Sequence, residues 1–281
     1  MPPGYEANIH HAACLAVAAR VRREAAADLP GTRIAVVVPL VGQERRALAH
    51  LLRNALREGF GDGVDAGNGM AAFLMERVNA RSGCCLVFRY GWKDWARRAW
   101  LWANGRRPAR GSLLVLPSGA YCNTADFARM AYHELMHAVD EGPLDHRRWR
   151  GRFPTAKEKS AAEAGVRRAA ETRADLFALL ATLRDYRDNP FIVAAEVEER
   201  VASRALEEAV WRRYDPGIAT PYRFGEVAHL VQGLLDALPD AATLADIVAL
   251  VDETVPFPDF ARRGGSRGPT GLSRGIGRRT P

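Results

Sequence analysis

His133-Glu134-Leu135-Met136-His137 sets two imidazoles four residues apart with a carboxylate between them, in a segment whose periodicity predicts a helix over 124–140. Residues i and i+4 of a helix lie on one face, one turn apart. Both rings can therefore converge on one zinc ion, and Glu134 lies beside the ion rather than on it. Zinc lowers the pKa of water, and a carboxylate so placed can accept the proton as that water attacks a carbonyl. Thr124 or Asp126 can cap the start of this helix. Phe127, Met130, Ala131, Ala138 and Val139 supply apolar packing, and a strand is expected just before it at 113–116.

A catalytic zinc site takes three protein ligands and keeps one position open, so a third ligand must come from elsewhere. Three sources are visible. His146 follows His137 by nine positions, but Pro143 stands where an HExxHxxGxxH arrangement needs its ligand, so that scheme fails. Cys84 and Cys85 lie upstream, as the cysteine ligand does in peptide deformylases, without the Glu-Gly-Cys-Leu-Ser type of context found there. Glu171 and Asp175 lie in a strongly helical stretch 34 to 38 residues after His137, again one turn apart. Glu171 could ligate zinc while Asp175 accepts the free ring N–H of a ligand histidine and fixes its tautomer. Two helical acids at this spacing are otherwise a common solvated face; downstream of an HExxH helix the ligand reading is the stronger.

HExxH followed by an ExxxD helix resembles the gluzincin group of zinc metallopeptidases. Glu171-x-x-Ala174-Asp175-x-Phe177-Ala178 is similar to the ExxAD-x-FA pattern of the HtpX and CAAX-prenyl-protease type, and ImmA/IrrE-type metallopeptidases have a related E-x-x-A-x-x-F-A pattern. The resemblance spans about residues 124–183. It implies one zinc ion held by His133, His137 and Glu171, Glu134 as general base, Asp175 behind a ligand histidine, and a protein or peptide substrate. Such an enzyme also needs a donor for the oxyanion that forms on the attacked carbonyl. Tyr222, Arg223 and His229 lie in a later segment from which one could come; Tyr222 and His229 are the candidates for a direct catalytic role.

The other chemistry-bearing residues read as structural. His10, His11 and His50 have no partner at ligand spacing and are expected at the surface; Cys122 is expected as a small buried side chain. The stretch Gly61–Gly69 lacks both EF-hand and phosphate-loop spacing and reads as a turn. Trp92, Trp95, Ala99 and Trp102 share a helix face interleaved with arginine, a pattern that more often marks a core face than base stacking.

These elements must be positioned by a chain of 281 residues with a hydrophobic share of 48%, long enough for a sizeable core and too apolar for wholesale disorder. Periodicity predicts helices over 7–28, 43–58, 70–80, 124–140, 157–187, 191–213, 223–237 and 241–253, and strands over 33–41, 84–90 and 111–117. The expected fold is α+β, mostly helical and zincin-like: a small sheet packed on the HExxH helix, followed by a helical half. Residues 1–110 form an N-terminal α/β part, 111–260 the catalytic part of what is expected to be one unit, and 261–281 a disordered basic tail. By analogy with zincins, Leu113–Leu116 is the expected free edge along the cleft, where a peptide would add main-chain hydrogen bonds.

The formal charge of +7 belongs to the tail: its six arginines face no acid, and without them 34 Lys and Arg stand against 33 Asp and Glu. Nucleic acid is therefore not an expected partner except through that tail. No membrane span and no secretory leader is apparent, and the four cysteines form no CxxC pair, which points to reduced thiols in a soluble cytoplasmic protein. A reading from another class remains: a catalytically inactive, metallopeptidase-like regulatory or interaction protein whose basic tail binds an acidic partner or nucleic acid.

Overall fold

The computed structural model describes residues 5–30, 32, 34–40, 44–60, 86–90, 111–120, 123–144, 149–214 and 224–262. The chain is α+β and mostly helical. Helix α1 (Tyr5–Asp28) ends at Leu29-Pro30, β1 (Ile34–Val37) follows, and α2 (Arg45–Phe60) comes next. Then come β2 (Leu86–Tyr90), β3 (Gly111–Val115) and α3 (Thr124–Val139), the HExxH helix. The second half comprises α4 (Ala156–Leu183), α5 (Pro190–Tyr214), α6 (Val231–Ala237) and α7 (Leu244–Thr254), with a short helical turn at Asp259–Arg262. Among the described residues, no helix is long and apolar enough to cross a membrane.

The sheet has the order β1-β3-β2. β1 runs parallel to β3, with Ile34 opposite Ser112 and Val37 opposite Val115, and β2 runs antiparallel to it, with Leu86 opposite Val115 and Tyr90 opposite Gly111. β3 is thus the central strand, and the expectation of a free edge at Leu113–Leu116 is corrected: its backbone groups are paired on both sides, which leaves β1 and β2 outermost among the described residues. Its run of consecutive apolar residues is what burial on both faces requires, and Leu113 through Leu116 are fully buried. The first strand is shorter than the predicted 33–41. Leu116 N–H still donates to the Val37 carbonyl (3.0 Å) and Ser118 N–H to that of Pro39 (3.3 Å), but Pro39 has no N–H to return.

α3 lies between α1 and α4 and against β3. Phe127, Ala131, Tyr132, Leu135 and Met136 meet Ala174, Phe177 and Ala178 of α4 in one core, where Tyr132 and Phe177 pack edge to face at 6.3 Å. Tyr132 also donates to Glu24 of α1 at 2.6 Å, and Arg184 holds the same carboxylate from the end of α4. Buried residues occupy nearly every position of α4 from Thr172 to Leu183, as in a helix enclosed on all sides. The N-cap of α3 is Asn123, whose side chain accepts from Asp126 N–H, rather than Thr124 or Asp126. Thr155 and Glu158 form a capping box on α4.

His10 and His11 are half-buried rather than surface residues. His10 Nε2–H donates to the Ser118 carbonyl (3.0 Å) and His11 Nδ1 lies 2.8 Å from Ser118 Oγ, which ties α1 to the turn after β3. His50 is exposed beside Asn54, as expected. The helix predicted over 223–237 is broken into turns at Phe224–Glu226 and Ala228–Leu230 before α6 begins. The turn Asp259–Arg262 brings Ala261 and Phe260 onto Trp149, where Phe257, Val166 and Ala170 complete a second cluster. The proposed tail boundary at residue 261 therefore falls inside packed structure. Deleting 263–281 is expected to leave urea stability nearly unchanged, whereas Phe257→Ala should cost about 3–5 kcal/mol, the range for a buried Phe replaced by Ala. A large loss on truncation would show that residues after 262 add to the core. The loop at 61–69, the helix at 70–80 and the tryptophan segment 92–102 lie outside the described residues.

Candidate metal centre

The local geometry of α3 places His133 and His137 one turn apart, their ring centroids 4.7 Å from each other and their Nε2 atoms 3.1 Å apart. α4 crosses this face with Glu171, whose Oε2 is 3.4 Å from His133 Nε2 and whose Oε1 is 3.6 Å from His137 Nε2. One ligand atom from each of the three residues lies within 4.8 Å of the others, so the group could hold a metal ion. Arms of about 2.0–2.1 Å around a tetrahedral ion give ligand–ligand edges of about 3.3 Å; the separation of the two Nε2 atoms is close to that value, and each faces a different oxygen of Glu171 at 3.4 and 3.6 Å. Two nitrogens and a carboxylate oxygen are also the donor types that zinc takes in three-ligand sites. His133 is almost wholly buried, whereas the His137 and Glu171 side chains retain 15% and 20% of their exposure, so solvent reaches the group from their side.

Asp175, one turn beyond Glu171, is buried beneath His133. Its Oδ1 lies 2.9 Å from His133 Nδ1, an ion-pair contact that does not meet hydrogen-bond geometry. A carboxylate there would favour the proton on Nδ1 and leave Nε2 free for a metal ion. Burial alone would disfavour a charged His133, but Asp175 and Glu171 outweigh it and raise its pKa to about 9. Burial likewise opposes charge on Glu171, yet His133 and His137 hold it far below the usual carboxylate range. Asp175 is held below its range against burial by Arg200, His133 and Arg204. The cluster therefore keeps both carboxylates ionised.

A second charge pair fixes the two helices next to the triad. Asp140 ends α3 three residues after His137, and Arg173 lies two residues after Glu171; Arg173 Nε and Nη2 donate to the two Asp140 oxygens at 2.8 and 2.9 Å. Arg173 Nη1 also donates to the Val255 carbonyl (2.9 Å), Nη2 bonds Asp252, and the guanidinium lies over the Phe257 ring at 4.7 Å. Removing one member of a buried pair leaves the other charge uncompensated, so Arg173→Ala is expected to cost about 3–5 kcal/mol in denaturant unfolding. A loss below ~1 kcal/mol would mean that Asp140 finds water or protonates at little cost.

Of the residues singled out by sequence, His133, His137, Glu171 and Asp175 are brought together, and Glu134 lies nearly buried on the same helix. His229 is exposed in the turn Ala228–Leu230 and is not part of the group. His146, Cys84, Cys85, Cys122, Tyr222 and Arg223 lie outside the described residues. Sequence reasoning missed Arg200 and Arg204, which grip Asp175 from α5. A signal was present: Val193, Val197 and Val201 mark one face of that helix, and Arg200 and Arg204 fall on it. A charge inside an apolar stripe needs a buried partner.

Compared with known family models, with curated proteins and with solved structures, the chain matches none.

Proposed function

We propose that this chain is a zinc-dependent metallopeptidase of the gluzincin type, hydrolysing peptide bonds with Glu134 as general base, on a zincin-like fold. The observation that carries the reading is the convergence of His133 and His137 from one helix with Glu171 from another, three N/O donors all within 4.8 Å of one another. Zinc, when bound, supplies a Lewis acid for the scissile carbonyl and makes water a nucleophile near neutral pH. The chain's own residues do the rest. His133, His137 and Glu171 hold the ion, and Asp175 keeps the His133 tautomer that presents Nε2. Glu134, between the two histidines in sequence, takes the proton of the attacking water and passes it to the leaving amine. Tyr222 and His229 remain the candidates to donate to the oxyanion, His229 from an exposed turn. A peptide lying along the sheet would have to use an outer strand, since β3 is paired on both sides.

The test is metal analysis joined to a peptide-library assay. About one zinc per chain is expected, with cleavage abolished by a chelator and restored by zinc. Zinc bound at that stoichiometry without cleavage of any peptide would overturn the peptidase reading in favour of a metal-holding regulatory protein. Absence of zinc would overturn both.

A further inference from the structure

Helix α5 approaches the metal centre with cations on the face that packs inward. Val193 is buried there and Val197 and Val201 are partly buried, but the two positions over Asp175 are Arg200 and Arg204, only 6% exposed each. Arg204 takes Asp175 in a two-pronged bond, Nε to Oδ2 and Nη2 to Oδ1, both at 2.7 Å. Arg200 Nη2 bonds the same Oδ1. The Arg204 Nη2 atom is also 3.9 Å from Glu171 Oε2, so this guanidinium bridges the ligand carboxylate and the one that orients the ligand histidine. A single arginine already satisfies a buried carboxylate by a bidentate bond; here two arginines serve Asp175. Planar, two-pronged bonding fixes the orientation of a carboxylate as well as its charge.

We propose that Arg204, together with Arg200, is a positioning residue of the metal centre, and that the docking of α5 and the binding of metal by His133, His137 and Glu171 stabilise each other through Asp175. The proposal rests on the metal reading of the triad, not on peptidase activity. The chain of contacts runs from the ion to His133, from His133 to Asp175, and from Asp175 to the two arginines of α5. By linkage, whatever tightens one end tightens the other by the same factor. Arg204 meets Asp175 twice at 2.7 Å and Glu171 only at 3.9 Å, so most of its effect on metal affinity must vanish when Asp175 cannot transmit it.

The experiment is a double-mutant cycle on the full chain, with zinc affinity measured by chelator competition in wild type, Asp175→Asn, Arg204→Gln and the double variant. Each single change is expected to weaken zinc binding about 10–100-fold, as for other residues that orient a ligand. The double variant should be little weaker than Asp175→Asn alone, well short of the product of the two single losses. Arg204→Lys keeps the charge without the two-pronged bond and should stay nearer Arg204→Gln than wild type. Losses that add in the double variant, wild-type affinity in Arg204→Gln, or full recovery with lysine would each overturn the proposal. Amide exchange on the wild-type chain tests it without any substitution: zinc should slow exchange across 190–214, and exchange there that ignores zinc would refute the coupling. His133→Ala separates the two readings. If wild type binds zinc independently of His133, the metal centre itself is misassigned; if binding needs His133 but not Arg204, only the role of α5 falls.

Discussion

Glu171→Ala is expected to lower zinc affinity by about 100-fold or more. Structural zinc sites with four ligands bind with about 10–16 kcal/mol, so one ligand carries on the order of 3 kcal/mol. The variant leaves two imidazoles, and two nitrogens 3.1 Å apart on one helix form an open site on their own. Asp175→Ala should weaken binding less, about 10–100-fold, because it orients His133 without touching the ion. His146→Ala should leave affinity almost unchanged. The order of the three variants is the test. Loss of zinc in His146→Ala with retention in Glu171→Ala would place the third ligand in the loop after α3 and remove the gluzincin assignment.

Glu134→Gln is expected to keep one zinc per chain while hydrolysis falls about 100- to 10,000-fold, the range for loss of a positioned general base. Glutamine keeps the size and the hydrogen-bonding reach of the side chain but cannot accept the proton. Glu134 belongs to the same helix as the ligands and is nearly buried, so an isosteric change leaves the packing of α3 on α4 intact. Near wild-type hydrolysis by this variant would take Glu134 out of the mechanism. Loss of zinc together with activity would make it a ligand instead of a base.

These two expectations differ in how far they could be read without a structure. The pairing of His133 with His137 was legible because it depends on one number, the 3.6-residue turn, and the apolar residues around them declare the helix. The same holds for Glu171 over Asp175. Helix boundaries follow from local signals as well, with small differences at the ends: the cap expected at Thr124 or Asp126 is Asn123. The helix predicted over 223–237 differs more, since its apolar spacing is equally met by two short turns at Phe224–Glu226 and Ala228–Leu230 followed by a shorter helix.

The amino-acid sequence by itself determined the pieces: an α+β, mostly helical chain, a histidine pair on one helix and an acid pair on another, each set by spacing within a single turn. Tertiary structure alone decided which pieces meet. Glu171 comes within 3.4 Å of His133 because Ala174, Phe177 and Ala178 pack into Phe127, Ala131 and Leu135, and because Arg173 clasps Asp140 across the same two helices. Strand order was beyond sequence for the same reason. β3 reads as a buried run of apolar residues whether it is central or at an edge with both faces covered, and only pairing with β1 and β2 distinguishes the two. Arg200 and Arg204 stand out in sequence only as charges on an apolar helix face, and which carboxylate they serve is settled by Asp175 lying beneath them. Contacts between residues 25 or more positions apart depend on how whole helix faces fit together, and no local period encodes that fit.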